Sequence, residues 1–260
     1  MINKLLKKDI SKKSKSKKNI FSFMNNFTDN FVKNKKKDIH ILETIYIASM
    51  LSMVCGYVDA YTYITKDGIF AYAQTGNIIF LAMNLARGNF YGAIDYLFPI
   101  LSFICGIWFA QFIKKITNGR HIMEWGYIIL LINTIIFFMV GIFSKSFPNA
   151  LMVSSVSFIS AVHMSTFNKV EGLSYVSTMC TGNLRSASEH LFDFFFSKNK
   201  VKDTSVKSGK NGLIYLIIIL SFTLGAYLGS LFTNKFGTKS VWIAAGVLMF
   251  VNSFMFFEEV

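Results

Sequence analysis

Long uncharged stretches alternate with short polar ones along most of the chain. They run from Thr44 to Val58, Gly68 to Ala86, Tyr96 to Ile113, Trp125 to Ser144, Ser146 to Asn168, Leu213 to Asn234 and Val241 to Phe257. A helix needs about 17 to 25 apolar residues to cross the hydrocarbon of a bilayer, and most of these stretches reach that length. One further segment, Gly172 to Phe196, is interrupted by Arg185, Glu189, His190 and Asp193. Counted with the others, it predicts an all-α polytopic membrane protein, a helical bundle of about eight membrane-embedded helices.

The same pattern repeats. Thr75-Gly76-Asn77 returns as Thr181-Gly182-Asn183, each near the middle of a membrane-length segment. Leu101-Ser102-Phe103 with Gly106 and Ala110 matches Leu220-Ser221-Phe222 with Gly225 and Gly229 at an offset of 119, which also carries Asn133 onto Asn252. A match held over several spans is the signature of an internal repeat. The expected organisation is a Lys-rich tail at 1–40, a first membrane repeat at 41–145 and a second at 146–260.

Two crossing schemes fit. The 19 uncharged residues from Gly68 to Ala86 suffice to cross, which favours eight crossings in two repeats of four. If both Thr-Gly-Asn segments instead dip in and return, six crossings and two re-entrant segments remain, and the repeats are inverted. That alternative moves Lys114, Lys115, Arg120 and Lys169 to the cytoplasmic side and satisfies the positive-inside rule better.

The composition, 53% hydrophobic and only 16% charged, excludes an ordinary soluble domain. Of the 27 Lys and Arg residues, 12 precede Ile41, so the net charge of +13 is mostly a local tail. Such charge beside the first span predicts a cytoplasmic N-terminus at the cell membrane. Ile20, Phe23, Met24, Phe27 and Phe31 recur at helical spacing between Lys clusters, which suits either a short interfacial helix on anionic lipid headgroups or a solvated tail. No cleaved signal peptide and no nucleic-acid partner are expected.

The chemistry such a bundle offers lies in its polar groups. Asp59, an ionisable residue late in the first span, is a candidate proton or cation site or else an interfacial residue. Gln74, Thr75, Gly76, Asn77, Thr181, Gly182 and Asn183 are candidate substrate contacts where a helix breaks, with helix packing as the competing role. Arg185 and Glu189, four residues apart, pair on one helix face and either line a polar cavity or mark the cytoplasmic end of the span. Gly106, Ala110, Gly225 and Gly229 have the small-residue spacing of close helix contacts. His163 reads as a helix-contact residue, and Asn84, Asn133 and Asn252 as interhelical hydrogen bonders. Cys55, Cys105 and Cys180 read as apolar fillers. No metal, cofactor or catalytic set is expected.

The run Gly56-Tyr57-Val58-Asp59-Ala60, followed by Thr75-Gly76-Asn77 and then Thr181-Gly182-Asn183-Leu184, resembles the YoaK-like (DUF1275) family of bacterial membrane proteins from about Ile41 onward. The resemblance implies a multi-pass membrane protein and draws attention to Gly56, Asp59, Ala60, Thr75, Gly76, Asn77, Thr181 and Gly182. Where that family often carries a polar Gly-x-Gln-Asn-Ala-like run, this chain reads Ala161-Val162-His163-Met164-Ser165. The functional expectation is a secondary transporter of a small solute or ion. A non-transporting membrane scaffold is the alternative, and an enzyme is not expected.

Overall fold

The computed structural model describes residues 41–117, 122–143, 146, 148–196 and 202–259. The interfacial helix expected in the tail lies outside them. After a short 3-10 turn at Ile41–Glu43 come α1 (Ile45–Thr65), α2 (Gln74–Ala86), α3 (Phe90–Ile116) and α4 (Ile122–Phe143). The second half holds α5 (Asn149–Thr166), a two-residue-a-side hairpin of β1 (Lys169–Val170) and β2 (Leu173–Ser174), α6 (Cys180–Phe196), α7 (Lys202–Phe236), a 3-10 turn at Gly237–Ser240, and α8 (Val241–Glu259). Eight helices and almost no sheet among the described residues is the form a bilayer imposes, because each buried backbone group must find its partner within the protein.

Residues 90–116, 125–143 and 205–257, the last holding most of α7 and α8, are long and apolar enough to cross a membrane. The less apolar α1 and α5 are sheltered by them. α1 packs against α7 and α5 against α3, while α4 pairs with α8. Both inner helices are buried over most of their length, and α5 carries Ser154, Ser157 and Ser160 inside. Ser157 and Ser160 donate there to the Ala71 carbonyl, while the buried Ser154 hydroxyl has no partner among the described residues.

Glycine permits the close crossings. A Cβ on Gly225 of α7 would collide with the Met53 carbonyl of α1, and one on Gly106 of α3 with the Phe158 carbonyl of α5. Gly229 approaches Tyr57 in the same way, and Ala110 packs against the core. The two crossings thus correspond residue for residue, and each inner helix is gripped by the outer helix of the other repeat.

Contacts at the ends fix the helix directions. Where α1 begins, the Glu171 N–H donates to the Glu43 carbonyl at 2.7 Å and Lys169 faces the Glu43 carboxylate at 4.0 Å, so α5 ends there. Where α1 ends, Asn149 Nδ2 donates to Asp67 Oδ2 at 2.7 Å, so α5 begins there. α1 and α5 are therefore antiparallel. On the far face lie the start of α3, whose Tyr96 hydroxyl donates to the Asp67 carbonyl, and the α7–α8 turn, whose Ser240 and Thr238 carbonyls accept from Tyr57 and Tyr61. On the near face α7 begins, with Lys210 beside Glu171 and Tyr215 bonded to the Ser174 carbonyl.

These directions select the inverted arrangement. α2 has 13 residues, about 20 Å of helix against roughly 30 Å of hydrocarbon. It begins beside Asp59 inside the bundle and returns to the far face, where α3 starts. α6 begins inside and returns to the near face, with Phe194 against Gly209 and Leu191 against Gly212 of α7. α1, α3, α4, α5, α7 and α8 run from one face of the bundle to the other, while α2 and α6 begin inside it and return to opposite faces, the geometry of the alternative with six crossings and two re-entrant segments. The uncharged run from Gly68 is long enough to cross, but its first six residues are not helical. Counting uncharged residues measures apolar length, not rise.

Candidate functional site

The two re-entrant segments meet the bundle centre through non-helical backbone that must be satisfied without water. In the first, every exposed N–H from Phe70 to Ala73 goes to a side chain. Asn77 Oδ1 accepts from Phe70 N at 2.9 Å while its Nδ2 donates to the Phe70 carbonyl at 2.7 Å and to Gln74 Oε1 at 2.9 Å. Thr62 of α1 accepts from Ala71 N, and Asp59 Oδ1 accepts from Tyr72 N at 2.8 Å and Ala73 N at 3.3 Å. The Ala71 carbonyl accepts from Ser157 of α5 and from Gln74 Nε2. This stretch is held by α1, α2 and α5 together.

The second segment repeats the clamp. Asn183 Oδ1 accepts from Val176 N at 3.3 Å and its Nδ2 donates to the Val176 carbonyl at 2.7 Å, again seven residues upstream. The two asparagines of the duplicated motif therefore face main chain inside their own segments. Gly76 lets the Phe70 ring lie where a side chain would stand, whereas Gly182 has open space there. Thr75 and Thr181 point outward and are exposed.

The halves differ at one decisive position. The alignment that sets Gly56 against Ala161 sets Asp59 against Met164, whose sulfur accepts from the Thr178 hydroxyl at 3.5 Å. Only the first repeat supplies a carboxylate. Asp59 is 4% exposed, its Oδ1 anchors the start of α2, and its Oδ2 has no partner among the described residues. Around it gather Cys55 of the same helix, Tyr72 before α2, and Cys180 at the first turn of α6, with Tyr175 and Ser177 beside Cys55. The Tyr72 ring stands edge-on to His163 of α5 at 6.4 Å. Tyr72 OH, Tyr175 OH and both His163 ring nitrogens are likewise buried without a partner among the described residues.

The arrangement is a closed polar cluster at the point where both re-entrant helices begin. Helix N-termini favour negative charge, and the carboxylate at the start of α2 supplies it from within the protein. Asp59→Asn keeps an oxygen for the Tyr72 and Ala73 N–H groups, so its thermal stability is expected to stay within about 1 kcal/mol of the natural chain. Asp59→Leu leaves two buried donors unpaired and is expected to cost about 2 kcal/mol or more, read as a lowered unfolding midpoint in detergent.

Arg185 and Glu189 pair at 2.8 Å but on the outward side of α6, 80% and 63% exposed, away from the cluster. Asn133 donates to the Ile129 carbonyl of its own helix, and Asn84 to Phe80 of its own, so neither bond joins two helices. Tyr72, Tyr175, Ser177 and His163 join the cluster although the sequence reading did not place them there. Single aromatic or imidazole groups in apolar runs look like core, and only the serine spacing of α5 hints at a polar inner face. A cleft of about 190 Å³ opens beside the near face between α3, α4 and α5. Glu43, Lys114 and Lys169 line it together with Val162, the neighbour of His163.

Inverted repeats, six face-to-face helices and a buried polar centre define an all-α polytopic membrane protein. The chain belongs to the family described as Protein of unknown function (DUF1275), which it matches over residues 47–253. It is 23% identical over 204 residues to the UPF0700 transmembrane protein YoaK of Bacillus subtilis (strain 168), an alignment covering 76% of this chain and 87% of that protein. No solved structure matches it.

Proposed function

We propose that this protein is a secondary transporter of a small solute or ion, with the binding site at the cluster around Asp59. The observation that carries the reading is the free Asp59 Oδ2 at the shared start of α2 and α6. A carboxylate taken from water is costly unless a proton or cation neutralises it, and no cationic side chain among the described residues pairs with Asp59. Inverted repeats with broken helices at mid-depth are the architecture in which two halves rock around a fixed site. The protein is read as a carrier and not an enzyme. The near face, which carries Lys114, Lys115, Lys169, Lys207 and Lys210, is read as cytoplasmic at the cell membrane, with residues 1–40 against anionic headgroups.

In this reading Asn77 and Asn183 shape the site from behind, and the substrate meets Asp59, Tyr72 and His163. The test uses the native thiols. Cys105→Ser leaves Cys55 and Cys180, both beside Asp59. A membrane-impermeant thiosulfonate applied to vesicles of each orientation is expected to modify Cys180 from both faces, because alternating access exposes the centre to each in turn. A folded protein that reacts from neither face would make the cluster a sealed packing device and favour the scaffold.

A further inference from the structure

The two re-entrant helices correspond residue for residue, yet their outward faces have diverged. On α2 that face carries Ile78, Ile79, Ala82 and Met83, all exposed and apolar, as lipid contact requires. Counting on from Asn77 and from Asn183, the same positions of α6 are Leu184, Arg185, Ser188 and Glu189, also exposed. Three apolar positions out of four have become polar or charged.

Depth makes this informative. The contacts of Phe194 with Gly209, Leu191 with Gly212 and the His190 ring with Tyr215 at 6.0 Å set α6 antiparallel to α7. Carried six residues beyond the Leu191–Gly212 contact, that register places Arg185 level with Ile218, within the uncharged run from Leu213 to Asn234. Ionised side chains at such depth face a protein neighbour or water, not acyl chains. A Cβ on Gly182 would meet nothing within 4 Å, so the face is open to close approach.

We infer that this face is covered by α6 of a second copy of the chain, related by a two-fold axis along the membrane normal. The charges are self-complementary: with the two helices side by side in the same direction, each Arg185 reaches one turn along to the partner subunit's Glu189. The ion pair that each helix makes internally then closes into a ring of four charges. An isologous contact of this kind needs one patch only, which is why a change confined to α6 suffices.

Two measurements test the inference, independently of any transport reading. In a background with Cys55, Cys105 and Cys180 changed to Ala, Ser188→Cys in native membranes is expected to cross-link with a short bismaleimide into a band of twice the monomer mass. Ala82→Cys, its counterpart on α2, is expected to stay monomeric. In the otherwise natural chain, Arg185→Glu and Glu189→Arg subunits carrying different tags are co-expressed; each is repelled by its own kind, so mixed pairs are expected to predominate in pull-downs. Equal recovery of mixed and like pairs, or monomeric Ser188→Cys, overturns the inference. Ready modification of Ser188→Cys by a water-soluble maleimide without cross-linking would show instead that the face lines a crevice, or that Arg185 snorkels to the headgroups, and rejects the second copy.

Discussion

Gly225→Leu is expected to abolish recovery of folded, monodisperse protein. The added side chain would start inside the Met53 carbonyl, a backbone atom that cannot swing away, so α7 must lift off α1 along the crossing. Overpacking in a soluble core costs about 1 to 3 kcal/mol. Here the displacement is larger, because Gly56 meets the Phe222 carbonyl and Gly229 meets Tyr57 in the same interface, leaving no free side to relax into. Gly246→Ala in α8 is the control: nothing lies within 4 Å of the new methyl, and removing an interior helix glycine is expected to be neutral or to stabilise by up to about 1 kcal/mol. Gel-filtration profiles of tagged variants after heating separate the two. A Gly225→Leu protein as heat-resistant as the natural chain would mean that the crossing is not as close as described.

The second large effect is expected at the paired asparagines. Asn77→Ala removes both bonds to Phe70 and the one to Gln74, and Asn183→Ala removes both bonds to Val176. Side-chain bonds between membrane helices are worth only about 0.6 kcal/mol on average, since each partner finds another. A re-entrant backbone has no such recourse, and each buried group left unpaired costs about 1 to 3 kcal/mol. The second magnitude governs, so both variants are expected to lose about 2 to 4 kcal/mol, read as a lowered midpoint of thermal unfolding. Asn77→Asp keeps the acceptor but loses the donor, and is expected to behave like the alanine variant. Full stability in Asn77→Ala together with lost transport would show that the amide binds solute directly.

These expectations mark where the sequence was informative. Helix identity and the small-residue crossings are legible because apolar length and residue volume act locally, through rise per residue and backbone approach. The duplicated Thr-Gly-Asn motif is equally visible, but the partner of each asparagine is main chain seven residues upstream in non-helical backbone, and no pattern of side chains marks a bond to main chain. Re-entry escapes for a related reason. The run from Gly68 to Ala86 contains no charge or proline, and its polar cluster, Gln74 to Asn77, reads in sequence as a break within a spanning helix and not as the start of a short one. What delays that start is Asp59, Thr62 and Asn77 drawing off the N–H groups of Phe70 to Ala73, a tertiary effect. His163 and Tyr72 are silent in sequence because their meaning comes from one another and from α1.

The exchange of partners between repeats also sets an order of assembly. α5 can dock on α3 soon after it is made, since both lie in the middle of the chain. α1 must wait for Gly225 and Gly229 of α7, which are synthesised some 170 residues after Met53. Until then the chain holds an inserted helix whose Gly56 face is uncovered, although its buried carboxylate can already hold the start of α2. Neither half closes its own crossings, so an α1 made without α7 keeps its Gly56 face uncovered, the kind of transiently exposed surface that makes folding intermediates prone to misassembly.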